Sequence, residues 1–410
     1  MRMSEGSKRN RPTGPTAERG GSFLEILLAF TRLGLTSFGG PVAHLGYFHS
    51  EFVDRRGWLS ADEYADLVAL CQFLPGPASS QVGFGLGMKR GGVAGGIAAW
   101  LGFTLPSAIA LIVFAFGVAS LGNVTEATWL RGLKIVAVPV VAHAVVGMAN
   151  RLTPDRPRIT VAIAAAMLAL LWPTSSGQIV AILLGGLAGW LLLRGGKTAT
   201  VPSPTAPVGR RVGAVLLALF LLLLVGLPAL REVTGSFHVA VADSFYRSGA
   251  LVFGGGHVVL PLLQAEVVPA GWVDESTFTA GYGAAQAVPG PLFTFAAYLG
   301  ATMLPGAAGI GTAMIALVAV FLPSLLLLVG VLPYWDRLRQ LGAVRAALAG
   351  VNAAVVGILV AAFYQPIWTS AVHSAGDLAL ALGGYLLLAV WRWPAWLVVL
   401  TSAGVAAILL

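Results

Sequence analysis

Phe30-Thr-Arg32-Leu-Gly34-Leu-Thr-Ser-Phe38-Gly39-Gly40 reappears 215 residues later as Phe245-Tyr-Arg247-Ser-Gly249-Ala-Leu-Val-Phe253-Gly254-Gly255. The Phe, Arg, Gly, Phe and Gly-Gly positions fall in register. Working outward, Glu51 meets Glu266 at the same offset. After a slip of one residue, Gly57-Trp58, Gln72 and Pro75-Gly76-Pro77 meet Gly271-Trp272, Gln286 and Pro289-Gly290-Pro291. Further along, Leu105-Pro106-Ser107 answers Leu322-Pro323-Ser324. An ordered series of matches at a long period marks internal duplication. The chain is therefore read as two homologous halves, 22–197 and 236–410, joined by 198–235 and preceded by a tail, 1–21.

Composition fixes the solvent. Of 410 residues 57% are hydrophobic and only 10% charged, with mean hydropathy +0.84, against roughly 25% charged in soluble proteins. A soluble enzyme is excluded. Runs such as Arg211 to Leu230 reach the ~20 residues that a bilayer core requires. The lone cysteine, Cys71, leaves no internal disulfide, thiol-rich metal site or iron–sulfur cluster; no cofactor and no metal is expected. The basic excess, 25 Lys+Arg against 17 Asp+Glu, flanks apolar segments, so topology accounts for it and no nucleic-acid partner is implied. Arg2, Lys8, Arg9, Arg11 and Arg19 lie among Gly, Pro, Ser and Thr, a disordered basic tail without the features of a signal peptide.

The fold class expected is an all-α polytopic membrane protein of two homologous halves in inverted topology, with broken or re-entrant helices. Each half offers a short first segment, two pieces broken at Pro-Gly-Pro, and longer runs near 92–120, 127–149, 158–172 and 176–194 or their second-half equivalents. The 198–235 region supplies a polar linker and a connecting helix. Counting the first segments as re-entrant gives about 13 crossings in all. With a cytoplasmic N-terminus, the rule that Lys and Arg collect in cytoplasmic loops is obeyed by every basic residue except Arg131, Lys134 and Arg231, with Arg32 and Arg247 inside apolar segments. An odd number of crossings then starts the second half on the opposite face.

Those two intramembrane arginines carry the chemistry. An Arg near the bilayer centre costs at least ~2.5 kcal/mol on insertion scales and must face protein, water or an anion. One reading gives Arg32 and Arg247 structural partners, Glu51 and Glu266 being candidates, or lets them snorkel to an interface. The sharper reading is a ligand site with two guanidinium forks, each able to hold two oxygens of a tetrahedral dianion. Six residues beyond each Arg, Gly39-Gly40 and Gly254-Gly255 break the helix and let backbone N–H groups turn toward an anion. Pro75-Gly76-Pro77 and Pro289-Gly290-Pro291 break a second helix, and Pro77 or Pro291 suits the first position of the next, whose free N–H groups attract oxyanions. Ser79, Ser80 and Thr294 are candidate hydroxyl donors there, and Gln72 and Gln286 either bind substrate or cap a helix. Glu51 and Glu266 are read as ion-pair partners or as proton-coupling carboxylates. His44 and His257 are near neighbours in the two copies without aligning, and a proton role is one reading of either. Trp58 and Trp272 are read as interface anchors. Broken helices at matching places in two inverted halves point to a transporter's midplane site.

The Phe38-Gly39-Gly40-Pro41 stretch, Gly57-Trp58, Leu74-Pro75-Gly76-Pro77 and their second-half echoes resemble the chromate ion transporter family, the ChrA-like proteins, over nearly the whole chain after the tail. The resemblance implies a multi-pass exporter in the plasma (inner) membrane that confers chromate resistance. Carried over by position, it marks Arg32, Gly39, Gly40, Pro41, Pro75, Gly76, Pro77, Arg247, Gly254, Gly255, Pro289, Gly290 and Pro291, while Gly256 departs from the proline of the first copy. The function expected is secondary transport of chromate outward. The same machinery suits sulfate or another oxyanion, and a different class is a membrane enzyme acting on a phosphorylated lipid, for which no acid/base or metal constellation is found. The partners expected are the oxyanion, the lipid bilayer and, as a candidate, a second copy in a homodimer.

Overall fold

A computed structural model describes residues 21–120, 128–193, 208–253, 256–338 and 340–409. Nearly all of the basic tail, the Pro/Thr/Ser-rich linker and the Gly254-Gly255 pair lie outside the described residues. Every regular element among those described is helical. The first half contains α1 (Phe23–Thr36), α2 (Gly40–Phe48), α3 (Ala61–Phe73), α4 (Ala78–Ser120), α5 (Thr128–Leu152), α6 (Arg156–Leu171) and α7 (Ser175–Leu192). The connecting helix is α8 (Arg210–Thr234). The second half contains α9 (Phe237–Ala250), α10 (Val259–Val267), α11 (Glu275–Ala287), α12 (Phe295–Met303), α13 (Gly306–Val331), α14 (Trp335–Leu338), α15 (Gly342–Ala362), α16 (Thr369–Ala371), α17 (Ala375–Tyr385) and α18 (Ala395–Leu409).

The sequence duplication is a duplication of lengths. α1 and α9 have 14 residues each, α2 and α10 nine, α3 and α11 thirteen. Fourteen residues rise roughly 21 Å, less than the ~30 Å hydrocarbon core, so the short first segment of each half does not span it alone. Among the described residues, six helices are long and apolar enough to cross a membrane, including Leu130–Leu152, Arg210–Thr234 and Gly306–Leu338. Matching caps start matching helices: Ser60 forms a capping box with Glu63 at α3, and Asp274, at the equivalent position, accepts from Thr277 N–H at α11.

α4 is two helices, interrupted where Gly91 and Gly92 leave helical geometry. The two pieces double back on each other so closely that a Cβ on Gly87 would stand 2.3 Å from the Gly95 carbonyl oxygen. In the second half, α12 and α13 repeat this hairpin around Leu304-Pro305, with Gly300 against the backbone of Ala313. The first helix of each half, α1 or α9, lies along the long arm of that half's hairpin. Gly34 of α1 packs on the Gly102 carbonyl, and Gly249 of α9 on the Val320 carbonyl, which accounts for the glycine two residues past each motif Arg. The helices after the two breaks begin one residue later than the sequence reading placed them. Pro77 is the cap whose carbonyl accepts from Gln81 N–H at 3.0 Å, and Pro291 is the cap of a 3-10 turn, Leu292–Thr294. Its ψ of 132° is extended, so it flanks the helical turn instead of opening it.

The halves interlock through their breaks. Gly76 N–H donates to the Val252 carbonyl at 2.7 Å, and Gly290 N–H donates to the Ser37 carbonyl at 2.9 Å. In sequence, Gly76 and Gly290 are equivalent, as are Ser37 and Val252. Each Pro-Gly-Pro also seats against the Leu-Pro-Ser turn of the other half: a Cβ on Gly76 would lie 2.3 Å from Ser324 Cβ, and one on Gly290 2.9 Å from Ser107 Oγ. Both glycines have positive φ, 121° and 101°. Gln81 Nε2 fastens the first of these contacts by donating to the carbonyls of Pro75 (3.0 Å) and Ser324 (3.3 Å). The buried cores cross the repeat boundary as well. One joins α1 to α4 with the end of α13, and the other joins α5 to α7 with most of the second half.

Gly76→Ala should therefore destabilise the protein by at least ~1 kcal/mol, from left-handed backbone strain and overpacking together, and more than Gly290→Ala. Gly311→Ala, where a Cβ would meet nothing within 4 Å, should be neutral or mildly stabilising, as alanine is in helices. Thermal unfolding in detergent of the three variants checks the order.

Candidate functional site

Helix α1 stops at Thr36, and the chain reverses through Gly39 (φ 104°) and Gly40 (φ 77°) to enter α2. Pro41 falls in the first turn of α2, where its fixed φ suits the helix and no hydrogen bond is lost. Gly39 provides no side-chain cap, so the first N–H groups of α2 are left for another acceptor, at the electropositive end of the helix. This turn forms one wall of a cavity of about 120 Å³. The facing wall comes from the other half: Gln286 in the last turn of α11, Gly290 of the second Pro-Gly-Pro, and His257. His143 of α5 closes the side. The cavity has space for several waters, and so for a five-atom oxyanion.

Its lining is largely apolar, with His143, His257 and Gln286 as the polar side chains, and it is poor in fixed charge. No Asp, Glu, Lys or Arg is among the described residues that line it. Gln286 Nε2 is buried and has no hydrogen-bond partner among the described residues, an arrangement that ordinarily costs about 1–3 kcal/mol and calls for a ligand or water. His257 Nδ1 lies 2.6 Å from Tyr282 Oη.

Two further cavities border the same helix, α5. Across Pro41, a space of about 240 Å³ is lined by Gln72, Gly76, Ala78, Arg151 and Asn352. At the other end of α5, a vestibule of about 680 Å³ is lined by Lys134, with Asp274, Thr277 and Tyr298 opposite. Lys134, His143 and Arg151 thus mark three cavities in order along one helix of 25 residues, roughly 37 Å long. Sequence reasoning treated Lys134 and Arg151 only as topology markers and passed over His143.

The hydroxyls proposed as donors are largely engaged elsewhere. Ser79 Oγ lies 3.4 Å from His44 Nδ1, and His44 Nε2 lies 3.2 Å from the Ser37 carbonyl. A carbonyl only accepts, so Nε2 carries the proton of that bond. The Ser37 carbonyl therefore receives both His44 and Gly290. Thr294 Oγ1 donates to the Pro291 carbonyl at 2.7 Å. Ser80 Oγ is buried without a partner among the described residues.

The arginines stand apart from this cavity. Phe30 and Gly34 bury one face of α1; Arg32, about 200° around the helix from Phe30, is exposed. Among the described residues no carboxylate pairs with it. Arg247 occupies the same face of α9, but there α8 and α10 cover it. Its guanidinium donates to both Asp243 oxygens (2.8 and 2.9 Å) and to Glu266 (2.9 Å), while Arg231 of α8 reaches Asp243 at 3.4 Å. Asp243 was not singled out in the sequence, although its i,i+4 spacing from Arg247 is the usual signal of such a pair. Glu51 is held by Arg55 and by Arg56 (2.6 Å to the latter). Burial alone would raise the Glu51 carboxyl, but hydrogen bonds and charge from these two arginines outweigh it and hold the group below the usual carboxylate range. Trp58 stacks on Phe52 with Arg56 and Arg90 near its ring, and Trp272 meets Phe237 and Arg231. Of the residues marked in the sequence, Gly39, Gly40, Pro41, Gln72, Gly76, His257, Gln286 and Gly290 border the cavities, and Pro75, Pro77, Pro289 and Pro291 shape the turns beside them. Gly254 and Gly255 lie outside the described residues.

Comparison with known proteins agrees with this architecture. The chromate transporter family model matches residues 24–190 and 239–408, one block in each half. The chain is 28% identical over 347 residues to the chromate transport protein of Pseudomonas aeruginosa, covering 82% of this chain and 79% of that one. It is 26% identical over 349 residues to the chromate transport protein of Cupriavidus metallidurans, covering 82% and 81%. An uncharacterized Bacillus subtilis transporter, YwrA, is 30% identical over 117 residues, which make up 28% of this chain but 64% of that shorter protein. No solved structure matches significantly. The chain is a multi-pass membrane transporter, not an enzyme, and belongs to the chromate transporter family.

Proposed function

We propose that this protein is a secondary transporter that moves chromate, a tetrahedral dianion, out of the cytoplasm across the plasma membrane, and so confers chromate resistance. The observation that carries the reading is the cavity between the halves, where the uncapped start of α2 faces the unpartnered amide of Gln286. Neutral donors fixed in a site without carboxylates favour an oxyanion without trapping it as two guanidiniums would. Arg151 on the cytoplasmic side and Lys134 on the outer side attract the anion to either mouth. Gly39, Gly40 and Gly290 bound the site, with Gly76 and Gln72 on the approach. Arg32 is assigned to the exposed face of α1, its guanidinium snorkelling to the membrane interface, and Arg247 to the ion-pair cluster. Sulfate shares the charge and shape of chromate and is the competing substrate.

Direction follows from the membrane potential. One charge moved through 100 mV is worth about 2.3 kcal/mol, so an inside-negative membrane drives a dianion outward by about 4.6 kcal/mol. The halves are assigned opposite orientations, with the N-terminus in the cytoplasm, on the distribution of Lys and Arg and on the reciprocal contacts of the two breaks.

Purified protein in vesicles should carry radiolabelled chromate down an imposed potential; flux of sulfate alone would transfer the assignment to sulfate, and flux of neither would end it. Gln286→Leu should weaken chromate affinity about 10- to 100-fold, the worth of one hydrogen bond to a charged group. Arg32→Gln should leave affinity unchanged, and Arg247→Gln should cost on the order of 2 kcal/mol of stability by stranding Asp243 and Glu266. Affinity lost in Arg32→Gln with the fold intact would return the guanidinium to the site. With Cys71 replaced by Ser, Thr234→Cys should react with an impermeant maleimide added outside intact cells and Asp62→Cys should not; the reverse pattern would invert the assigned orientation.

A further inference from the structure

The cavity between the halves has a charge deficit. A dianion placed there meets hydrogen-bond donors but no fixed cation, since no Lys or Arg is among the described lining residues. An ion moved from water into a site of low dielectric is expensive unless it is paired. The titratable groups that do line it are His143, exposed at its edge, and His257, further in. Imidazole is the side chain whose charge changes near neutral pH, and a neighbouring anion favours its charged form. Resting on the transport reading above, we infer that His143 and His257 form a proton-binding site that takes up protons from water as the oxyanion binds and gives them back as it leaves, supplying positive charge only while the anion is held.

The surroundings fit that role. His257 Nδ1 faces Tyr282 Oη at 2.6 Å; a phenol both donates and accepts, so this bond survives whether the imidazole is neutral or charged. Nε2 of His257 has no partner among the described residues and is the nitrogen left for the anion. Charged groups on neighbouring elements are committed elsewhere. Glu266 of α10 is bound by Arg247 and Asp377 of α17 by Arg131. Glu275 of α11 lines a different cavity. Tyr364, Tyr385 and Arg345, on elements around α5, are not among the residues lining this one. No carboxylate therefore competes with the anion for the histidine protons. His44 is not part of the pair: both its ring nitrogens are occupied by Ser37 and Ser79.

The test is proton uptake during chromate binding, followed with an indicator dye in weakly buffered detergent solution of the full chain above neutral pH, where chromate is a dianion. Wild type should take up between one and two protons per bound anion, and its affinity should tighten by up to about tenfold per coupled proton for each pH unit of acidification. His143→Gln and His257→Gln should each reduce both the uptake and the pH slope, with melting temperatures reporting that the variants are folded. Should His257→Gln fail to fold, His143→Gln and the wild-type uptake still decide the matter. Binding by wild type without proton uptake, or uptake unchanged in the folded variants, would overturn the inference and leave the transport reading standing. Failure of wild type to bind chromate at any pH would instead strike the transport reading itself.

Discussion

Two backbone hydrogen bonds hold the architecture together: Gly76 N–H to the Val252 carbonyl and Gly290 N–H to the Ser37 carbonyl. A helix broken inside an apolar medium exposes N–H and C=O groups that water cannot reach, and leaving them unpaired is costly. Here each half's break satisfies the end of the first helix in the other half. The exchange explains why the breaks come in pairs and why the glycine between the prolines is required. It also explains the distant Leu-Pro-Ser motifs, since Ser107 and Ser324 floor the recesses that receive Gly290 and Gly76.

The cavity is a consequence of that exchange. Bringing the second Pro-Gly-Pro against Ser37 sets Gln286 and His257 opposite Gly39 and Gly40, with α5 alongside. The resulting site is built from backbone and neutral side chains. A fixed cation at the centre of a transport path holds its anion too well to release it. Fixed positive charge lies instead toward the ends of α5, with Lys134 and Arg151 lining the two neighbouring cavities. The cluster of Arg231, Asp243, Arg247 and Glu266 is internally neutral and pins α8 and α10 to α9.

Much of the fold was legible in the sequence because it repeats. The duplicated Phe-x-Arg-x-Gly, Gly-Trp and Pro-Gly-Pro motifs showed two halves with matching breaks, the apolar run Arg211 to Leu230 showed a helix between them, and composition settled the membrane. The site was legible only in part. Gly39, Gly40 and Gly290 were marked because glycine at a helix break has a local meaning. Arg32 and Arg247 were marked because buried charge is rare, yet the helical wheel already argued against a shared pocket: Phe30 and Gly34 define the packed face, and Arg32 lies on the other. Asp243 and Glu266 then give the second Arg carboxylate partners that the first does not have among the described residues. His143 and the order of cavities along α5 were invisible, since they arise from which helices the interlock places side by side and leave no motif.

Chromium scatters anomalously, so a structure of the chromate-soaked protein measured near the chromium absorption edge locates the anion without interpretation of weak density. The expected result is a peak bounded by Gly39 to Pro41 on one side and Gln286 to Gly290 on the other. A peak beside Arg247 and Arg231, or against Arg32, with the cavity between the halves empty, would contradict the assignment.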